Sequence, residues 1–90
     1  MTVYIDDAKN KFRYMVMSHM IADKRSELDE MAEKIGLNQI HKQNAGLRQE
    51  HFDVSQDYAI RAMSRGAKRV TQRELSRILS SRDLKEYLES

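Results

Sequence analysis

The chain has 90 residues, a net charge of +2 and no cysteine, so it forms one small domain (residues 1–90) and cannot make disulfides or thiolate metal sites. No apolar run approaches the roughly 20 residues that cross a bilayer. The start lacks a basic segment followed by a long apolar one, so we expect no signal peptide, no membrane partner and a cytoplasmic location.

Strands and helices are predicted to alternate along the chain. The apolar start indicates a buried strand near residues 2–6, whereas the Met-rich segment 8–21 fits neither the helical nor the strand period. Apolar residues at helical spacing predict a helix near residues 24–35, and Gly36 follows where helices often end. Further strands are expected near 37–41 and 68–71, and further helices near 56–65 and 72–80. This β-α-β-α-β-α order predicts a small α/β domain with a short, partly parallel three-stranded sheet.

Two adjacent carboxylates, Asp6 and Asp7, end the first predicted strand. Neighbouring negative charges repel unless a cation, a positive partner or water relieves them. In open parallel sheets, ligands bind beyond the carboxyl ends of the strands, which is where this pair is expected. The pair therefore indicates either a ligand site or two solvated loop carboxylates.

Two histidines have carboxylates at suggestive spacings. His19 and Asp23 share a face if their segment is helical, although Asp23 also suits the start of the next helix and His19 suits a core position. His51 and Asp53 would point the same way on a strand. Such a pair can bind a transition metal, or the carboxylate can orient the imidazole for proton transfer without metal. Nothing near the third histidine, His41, strengthens a site.

Basic side chains dominate residues 61–82, where Glu74 is the single acid, and they predict a positive face. That face is either solvated surface or an anion-binding surface. The same region superficially resembles a helix-turn-helix, but the expected recognition helix holds more acids than cations, which suits DNA poorly. The basic residues are Arg61, Arg65, Lys68, Arg69, Arg73, Arg77 and Arg82.

The stretches "VYIDD", "MSHMIAD", "IGL", "EHFD" and "RGA" occur in this order. Together they resemble a family of small bacterial and phage proteins of unknown function, whose members read VYVDD, then SHxxAD, then HYD. The resemblance covers about residues 2 to 75. Where family members carry a basic run after HYD, this chain has "VSQDYAIR", so Arg61 or Arg65 would have to supply an anion contact. The resemblance implies that the pattern includes Asp6, Asp7, His19, Asp23, His51 and Asp53.

This residue set suits metal-assisted phosphoester hydrolysis on a nucleotide or nucleic acid, with a divalent ion (Mn, Zn or Mg) as cofactor. The alternatives are a nucleotide-binding module without turnover, which a phage could use to sequester a nucleotide signal, and then DNA binding. So small a core is also compatible with a homodimer. No motif indicates acyl transfer or a dinucleotide. The predicted metal ligands are Asp6, Asp7 and His51. The predicted catalytic residues are His19, Asp23 and Asp53, of which Asp53 would orient His51. The predicted phosphate-binding residues are Arg61 and Arg65.

Overall fold

Six short strands form one mixed sheet in the computed structural model, which describes residues 2–12 and 15–90. The strands are β1 (Val3–Ile5), β2 (Asn10–Phe12), β3 (Met15–Ala22), β4 (Lys42–Gln43), β5 (His51–Ser55) and β6 (Lys68–Arg69). Their order is β4-β5-β3-β1-β6, and β2 pairs with the first half of β3. The β1–β6 pair is parallel and the other pairs are antiparallel.

Three helices lie within one residue of their predicted positions, namely α1 (Arg25–Ile35), α2 (Gln56–Ser64) and α3 (Gln72–Ser80). A fourth helix, α4 (Leu84–Leu88), follows them. Helix α1 ends at Gly36, whose φ of +81° is the left-handed conformation that glycine adopts without strain. Helix α3 begins with the capping box, in which Thr71 accepts from the Glu74 N–H and the Glu74 side chain accepts from the Thr71 N–H.

The two faces of the sheet are covered differently. Alternate strand residues, including Ile5, Met20 and Phe52, pack against α1 and α2 in a buried apolar core. On the opposite face, Ile21 packs against Leu75 of α3 in a much smaller cluster. Helix α3 covers only part of this second face, and the polar side chains discussed below occupy the remainder.

The structure corrects the predicted sheet. The expected strand at 37–41 is instead a buried Leu37 followed by a 3₁₀ helix at Gln39–His41, and the strand begins at Lys42. The expected three strands are six, because the ambiguous segment 8–21 contributes β2 and most of β3, and His51–Ser55 forms β5. Residues 13 and 14 of the ambiguous segment lie outside the described part. Strand β3 has neighbours on both sides and is buried on both faces from Met20 to Ala22, so its apolar residues do not alternate.

Within residues 2–12 and 15–90, none of the helices has the length and apolar composition needed to cross a bilayer. The longest described helix, α1, has 11 residues and carries charges between its apolar positions.

Candidate metal centre

Strand register brings two of the predicted site residues together. In the β3–β5 pair, His19 lies directly opposite Asp53, and His51 precedes Asp53 by two residues on the same strand. All three side chains therefore point to the face that α3 partly covers. Antiparallel pairing, rather than the carboxyl ends of parallel strands, assembles this cluster.

A buried carboxylate fixes the His19 ring. Asp6 is 1% exposed, and its Oδ1 accepts the backbone N–H groups of His19 (2.9 Å) and Ala8 (3.2 Å). Its Oδ2 lies 2.7 Å from Nδ1 of His19. Because that carboxylate oxygen can only accept, His19 Nδ1 carries a proton and donates it to Asp6. This hydrogen bond fixes the ring with its Nε2 atom facing Asp53, 3.8 Å from Oδ1.

The Asp6–His19 contact shifts the pKa of both groups. Burial alone would raise the pKa of Asp6, but the hydrogen bonds from the His19 side chain and backbone outweigh it and lower that pKa. The hydrogen bond to Asp6 raises the pKa of His19, against the opposing effect of burial. Asp6, the buried partner, is therefore held as a carboxylate, and this is the charge state that orients an imidazole most strongly.

His51 is oriented by the backbone. Its Nδ1 lies 2.8 Å from the Gln49 carbonyl oxygen, which can only accept, so Nδ1 carries the proton. A neutral His51 then has its lone pair on Nε2, which lies 3.1 Å from Oδ1 of Asp53. A lone pair facing a carboxylate oxygen is repulsive, and either a proton or a metal cation between them removes the conflict.

The three side chains form a group that has the donors of a transition-metal site. His19, His51 and Asp53 each offer one ligand atom, and these atoms lie within 4.8 Å of one another. The imidazole rings meet edge to face at 5.3 Å between centroids. Ligands at the ~2.0–2.1 Å bond lengths of zinc sites are roughly 3.3 Å apart in a tetrahedron, so modest side-chain adjustments would bring the group to coordination distance.

Arg82 holds the backbone segment that orients His51. It is 8% exposed, and its Nη1 donates to the carbonyl oxygens of Arg48 (2.9 Å) and Glu50 (3.3 Å), which flank Gln49. Its Nη2 donates to the Ala22 carbonyl at the end of β3 (2.8 Å). Burial lowers the pKa of Arg82, but a guanidinium remains charged at neutral pH. The Gln49 carbonyl is therefore fixed from both neighbouring peptide units.

A second buried group secures the same segment. The Glu50 side chain is fully buried, and its Oε1 accepts from Arg25 (2.9 Å) and the Gly46 N–H (3.0 Å). Its Oε2 accepts from the Tyr87 hydroxyl at 2.6 Å. Burial, followed by this hydrogen bond, raises the pKa of Tyr87 and keeps the hydroxyl a donor. Helix α4 is thereby tied to the loop that precedes His51.

Two predicted site carboxylates have other partners. Asp7 accepts the backbone N–H of Gln72 at the start of α3 (3.0 Å) and is exposed. Asp23 accepts the Tyr4 hydroxyl (3.0 Å), and ~13 Å of extended strand separates it from His19, because this segment is a strand rather than the helix their spacing required. Asp6, rather than Asp23, contacts the His19 ring in the structure.

The two predicted phosphate-binding residues are on α2, which packs on the other face of the sheet. Arg61 donates to the Ile35 carbonyl (3.2 Å) and stacks on Tyr58, and Arg65 is the C-cap of the helix. The structure does not bring them to the cluster. Arg82 is buried, so it is not part of the predicted positive face. Helices α2 and α3 are separated by β6 and pack on opposite faces, unlike the packed pair of a helix-turn-helix.

Sequence reasoning missed the residues that act through the backbone. The Gln49 carbonyl contacts the His51 ring. Arg82 donates to neighbouring carbonyls, and the buried Glu50 side chain accepts from a backbone N–H. None of these interactions follows a residue spacing. The H-x-D pattern was the available signal for one half of the cluster, because it places both side chains on one strand face.

Comparison with known proteins places the chain in a family without assigning an activity. No curated protein and no solved structure matches it. A family model described as "Protein of unknown function (DUF4031)" matches residues 3–82, which include every member of the cluster and Arg82. The chain therefore belongs to the DUF4031 family.

Proposed function

We propose that this protein is a metal-dependent hydrolase that acts on a phosphoester of a nucleotide or nucleic acid. One observation supports this most directly: both imidazoles have their Nδ1 atoms engaged by fixed acceptors, and both Nε2 atoms face Asp53. Metal-binding histidines in proteins are held in the same way, by a carboxylate or carbonyl behind the ring.

The donor set indicates which ions to test. Two imidazole nitrogens and one carboxylate oxygen suit zinc, manganese or iron(II) better than magnesium, which prefers oxygen ligands. In this proposal Asp6 orients His19 and does not bind the ion directly, and its 2.7 Å contact to Nδ1 supports that role. Three protein ligands leave at least one coordination position for water or substrate, which is the pattern of catalytic rather than structural zinc sites.

A divalent ion held here would supply an activated water and polarise a phosphoryl oxygen. In the hydrolysis, the water oxygen forms a bond to phosphorus while the bond from phosphorus to the leaving oxygen breaks, its electron pair staying on that oxygen. The leaving oxygen takes up one proton, and the other water hydrogen remains on the phosphate product. The proposed role of His19, hydrogen-bonded to Asp6, is to bind the ion or to move one of these protons.

The first experiment separates metal binding from turnover. Metal-free protein is titrated with Zn²⁺, Mn²⁺ and Fe²⁺ by calorimetry, the last without oxygen. We expect one site, and we expect Asp53→Asn to lower its affinity at least tenfold. Asp57→Asn is the matched control, because Asp57 is an exposed carboxylate on α2. Equal metal affinity in both variants would contradict the proposed centre.

The second experiment tests the reaction. The metal-loaded protein is incubated with cyclic, linear and polymeric nucleotides, and phosphoester products are followed with and without chelator. Turnover that disappears with chelator and in Asp53→Asn, but persists in Asp57→Asn, supports a hydrolase. Tight binding of intact nucleotide that ignores the chelator would instead support the binding module without turnover.

A further inference from the structure

A cavity of about 210 Å³ lies between helix α3 and the metal centre. Asp6, His19 and His51 line it from the sheet, and Gln49 lines it from the loop before β5. An ion bound by His19, His51 and Asp53 would therefore border this cavity. The helix forms the other wall with residues at the i, i+3, i+4 and i+7 spacing of one helical face, namely Gln72, Leu75, Ser76 and Leu79.

Gln72 and Ser76 are the polar side chains that α3 brings to the cavity. Both residues are exposed, so the rim of the cavity on their side is open to solvent. In the part of the chain that the structure describes, neither side chain makes a hydrogen bond, and the contact of Gln72 with Asp7 comes from its backbone N–H. The amide of Gln72 and the hydroxyl of Ser76 are therefore free to donate to a ligand of the metal ion.

The charges of the metal-loaded centre balance. A histidine that binds a metal ion is neutral, so the two positive charges of the ion meet one negative charge each on Asp6 and Asp53. Ionisation of a bound water to hydroxide adds a further negative charge, whereas the α3 wall adds hydrogen-bond donors that carry no charge. Because like charges repel at short range, a ligand with one negative charge suits this centre better than a ligand with two.

The volume of the cavity limits which part of a substrate it can hold. It is well above the ~10–15 Å³ that one water molecule needs and below the roughly 300–1,000 Å³ of sites that enclose a whole drug-sized ligand. The cavity therefore suits the phosphoryl group of a substrate whose ester groups extend past Gln72 and Ser76 into solvent.

We propose that this centre hydrolyses phosphodiesters in preference to phosphomonoesters, and that Gln72 and Ser76 donate hydrogen bonds to the phosphoryl oxygens. This inference rests on the proposed function and narrows its substrate class. A phosphodiester carries one negative charge, whereas a phosphomonoester carries close to two above its second pKa of about 6. The diester and one water molecule give a monoester and an alcohol. The water oxygen stays on phosphorus, and one water proton passes to the leaving oxygen.

Two esters with the same leaving group test the substrate class. Zinc-loaded and manganese-loaded proteins are incubated at about pH 8, where the monoester is doubly charged, with bis(p-nitrophenyl) phosphate and p-nitrophenyl phosphate. If the protein hydrolyses nucleotides but neither of these esters, cyclic adenosine monophosphate and adenosine monophosphate form the matched pair. We expect kcat/KM to be at least about tenfold higher for the diester. A smaller ratio, or a faster monoester, would overturn the proposed substrate class.

Two serines of α3 test the contact with the substrate. Ser76→Ala removes a hydroxyl that lines the cavity, and Ser80→Ala removes an exposed hydroxyl one turn further along that does not line it. We expect Ser76→Ala to lower kcat/KM for the diester roughly ten- to a hundred-fold, as loss of a hydrogen bond to a charged group does. Ser80→Ala should leave it unchanged, and Ser76→Thr, which keeps a hydroxyl, should retain most of the activity. Equal activity in Ser76→Ala and Ser80→Ala would overturn the contact.

Gln72 is tested in the same way. Gln72→Met should lower kcat/KM for the diester several-fold, whereas Gln39→Met, at an exposed position of the 3₁₀ helix that does not line this cavity, should not. Calorimetry should give the same zinc affinity for both variants and for Ser76→Ala, since none of these residues belongs to the group of ligand atoms. Lower zinc affinity in Gln72→Met or Ser76→Ala would mean that α3 supports the metal centre rather than the substrate.

The failure of the proposed function has a different signature. If the wild-type protein binds no metal ion, or if the loaded protein hydrolyses neither the two esters nor any nucleotide, the hydrolase proposal fails and this inference fails with it. Turnover in which the monoester is the better substrate refutes the diester preference and leaves the hydrolase intact. Turnover that is indifferent to Ser76→Ala and Gln72→Met refutes the α3 contacts and also leaves the hydrolase intact.

Discussion

One face of the sheet contributes most of the apolar core, and the other carries the candidate metal site. The face under α1 and α2 buries a continuous apolar cluster. Among the described residues, the apolar cluster buried on the face under α3 consists of Ile21, Val70 and Leu75. The open part of the second face holds two imidazoles and two carboxylates that face one another. A small domain that covered both faces equally would have no room for this cluster. Incomplete coverage by α3 therefore creates the site.

The largest loss of stability is expected from a substitution on the face that α1 and α2 cover. Phe52 is fully buried between β5 and the two helices, and Phe52→Ala should reduce the free energy of unfolding by about 3–5 kcal/mol. Its neighbour Asp53 points to the open face, and Asp53→Asn should change the stability of metal-free protein by less than about 1 kcal/mol. Urea denaturation of both variants measures the contrast. Similar losses in the two would mean that the faces are not energetically distinct.

Metal binding should raise the stability of the open face. An ion that binds only the folded chain, at a hundred times its dissociation constant, adds about 2.7 kcal/mol to the free energy of unfolding. The gain should disappear with chelator and shrink in His51→Gln. As a control, His41→Gln should retain it, because His41 is outside the group of ligand atoms. If the urea midpoint of the wild-type protein is the same with and without zinc, this prediction is wrong.

Removing the hydrogen bonds from Arg82 to the backbone should have a smaller effect on stability and a second effect on the metal site. Arg82→Met removes the donors to three carbonyls and should cost about 1–3 kcal/mol, with a weaker metal site as a second consequence. Nitrogen NMR shifts should show that His51 loses its fixed Nδ1–H tautomer. Arg77→Met, at an exposed position of α3, is the control and should alter neither property. A stability loss with an unchanged His51 tautomer would limit Arg82 to a purely structural role.

The smallest expected effect is a pH dependence in metal-free protein. The lowered pKa of Asp6 adds stability above its ordinary value of 3.8, which is lost as the pH falls through the folded value. The raised pKa of His19 adds stability below its ordinary value of 6.5, which is lost as the pH rises through the folded value. The stability difference between wild type and Asp6→Asn should therefore peak between those two values. A difference that stays constant from about pH 3 to about pH 9 would contradict the linkage.

Local signals in the sequence predicted helices and missed strand pairing. Gly36 marked a helix boundary because its effect extends over only a few residues. The approach of His19 to Asp53 depends on the register of two strands that are distant in the chain, and no local pattern specifies it. The sequence also did not predict that Arg82 donates to the carbonyls on either side of Gln49, because every residue has a carbonyl and no residue type marks these.

The outermost strands of the sheet have a consequence for association. β4 and β6 have two residues each, and β6 consists of the exposed cations Lys68 and Arg69. A strand from another molecule would find few backbone groups to pair with at either edge, and at β6 it would meet concentrated positive charge. These edges protect the sheet against fibrillar aggregation. A homodimer of this chain would therefore gain few backbone hydrogen bonds by pairing at β4 or β6.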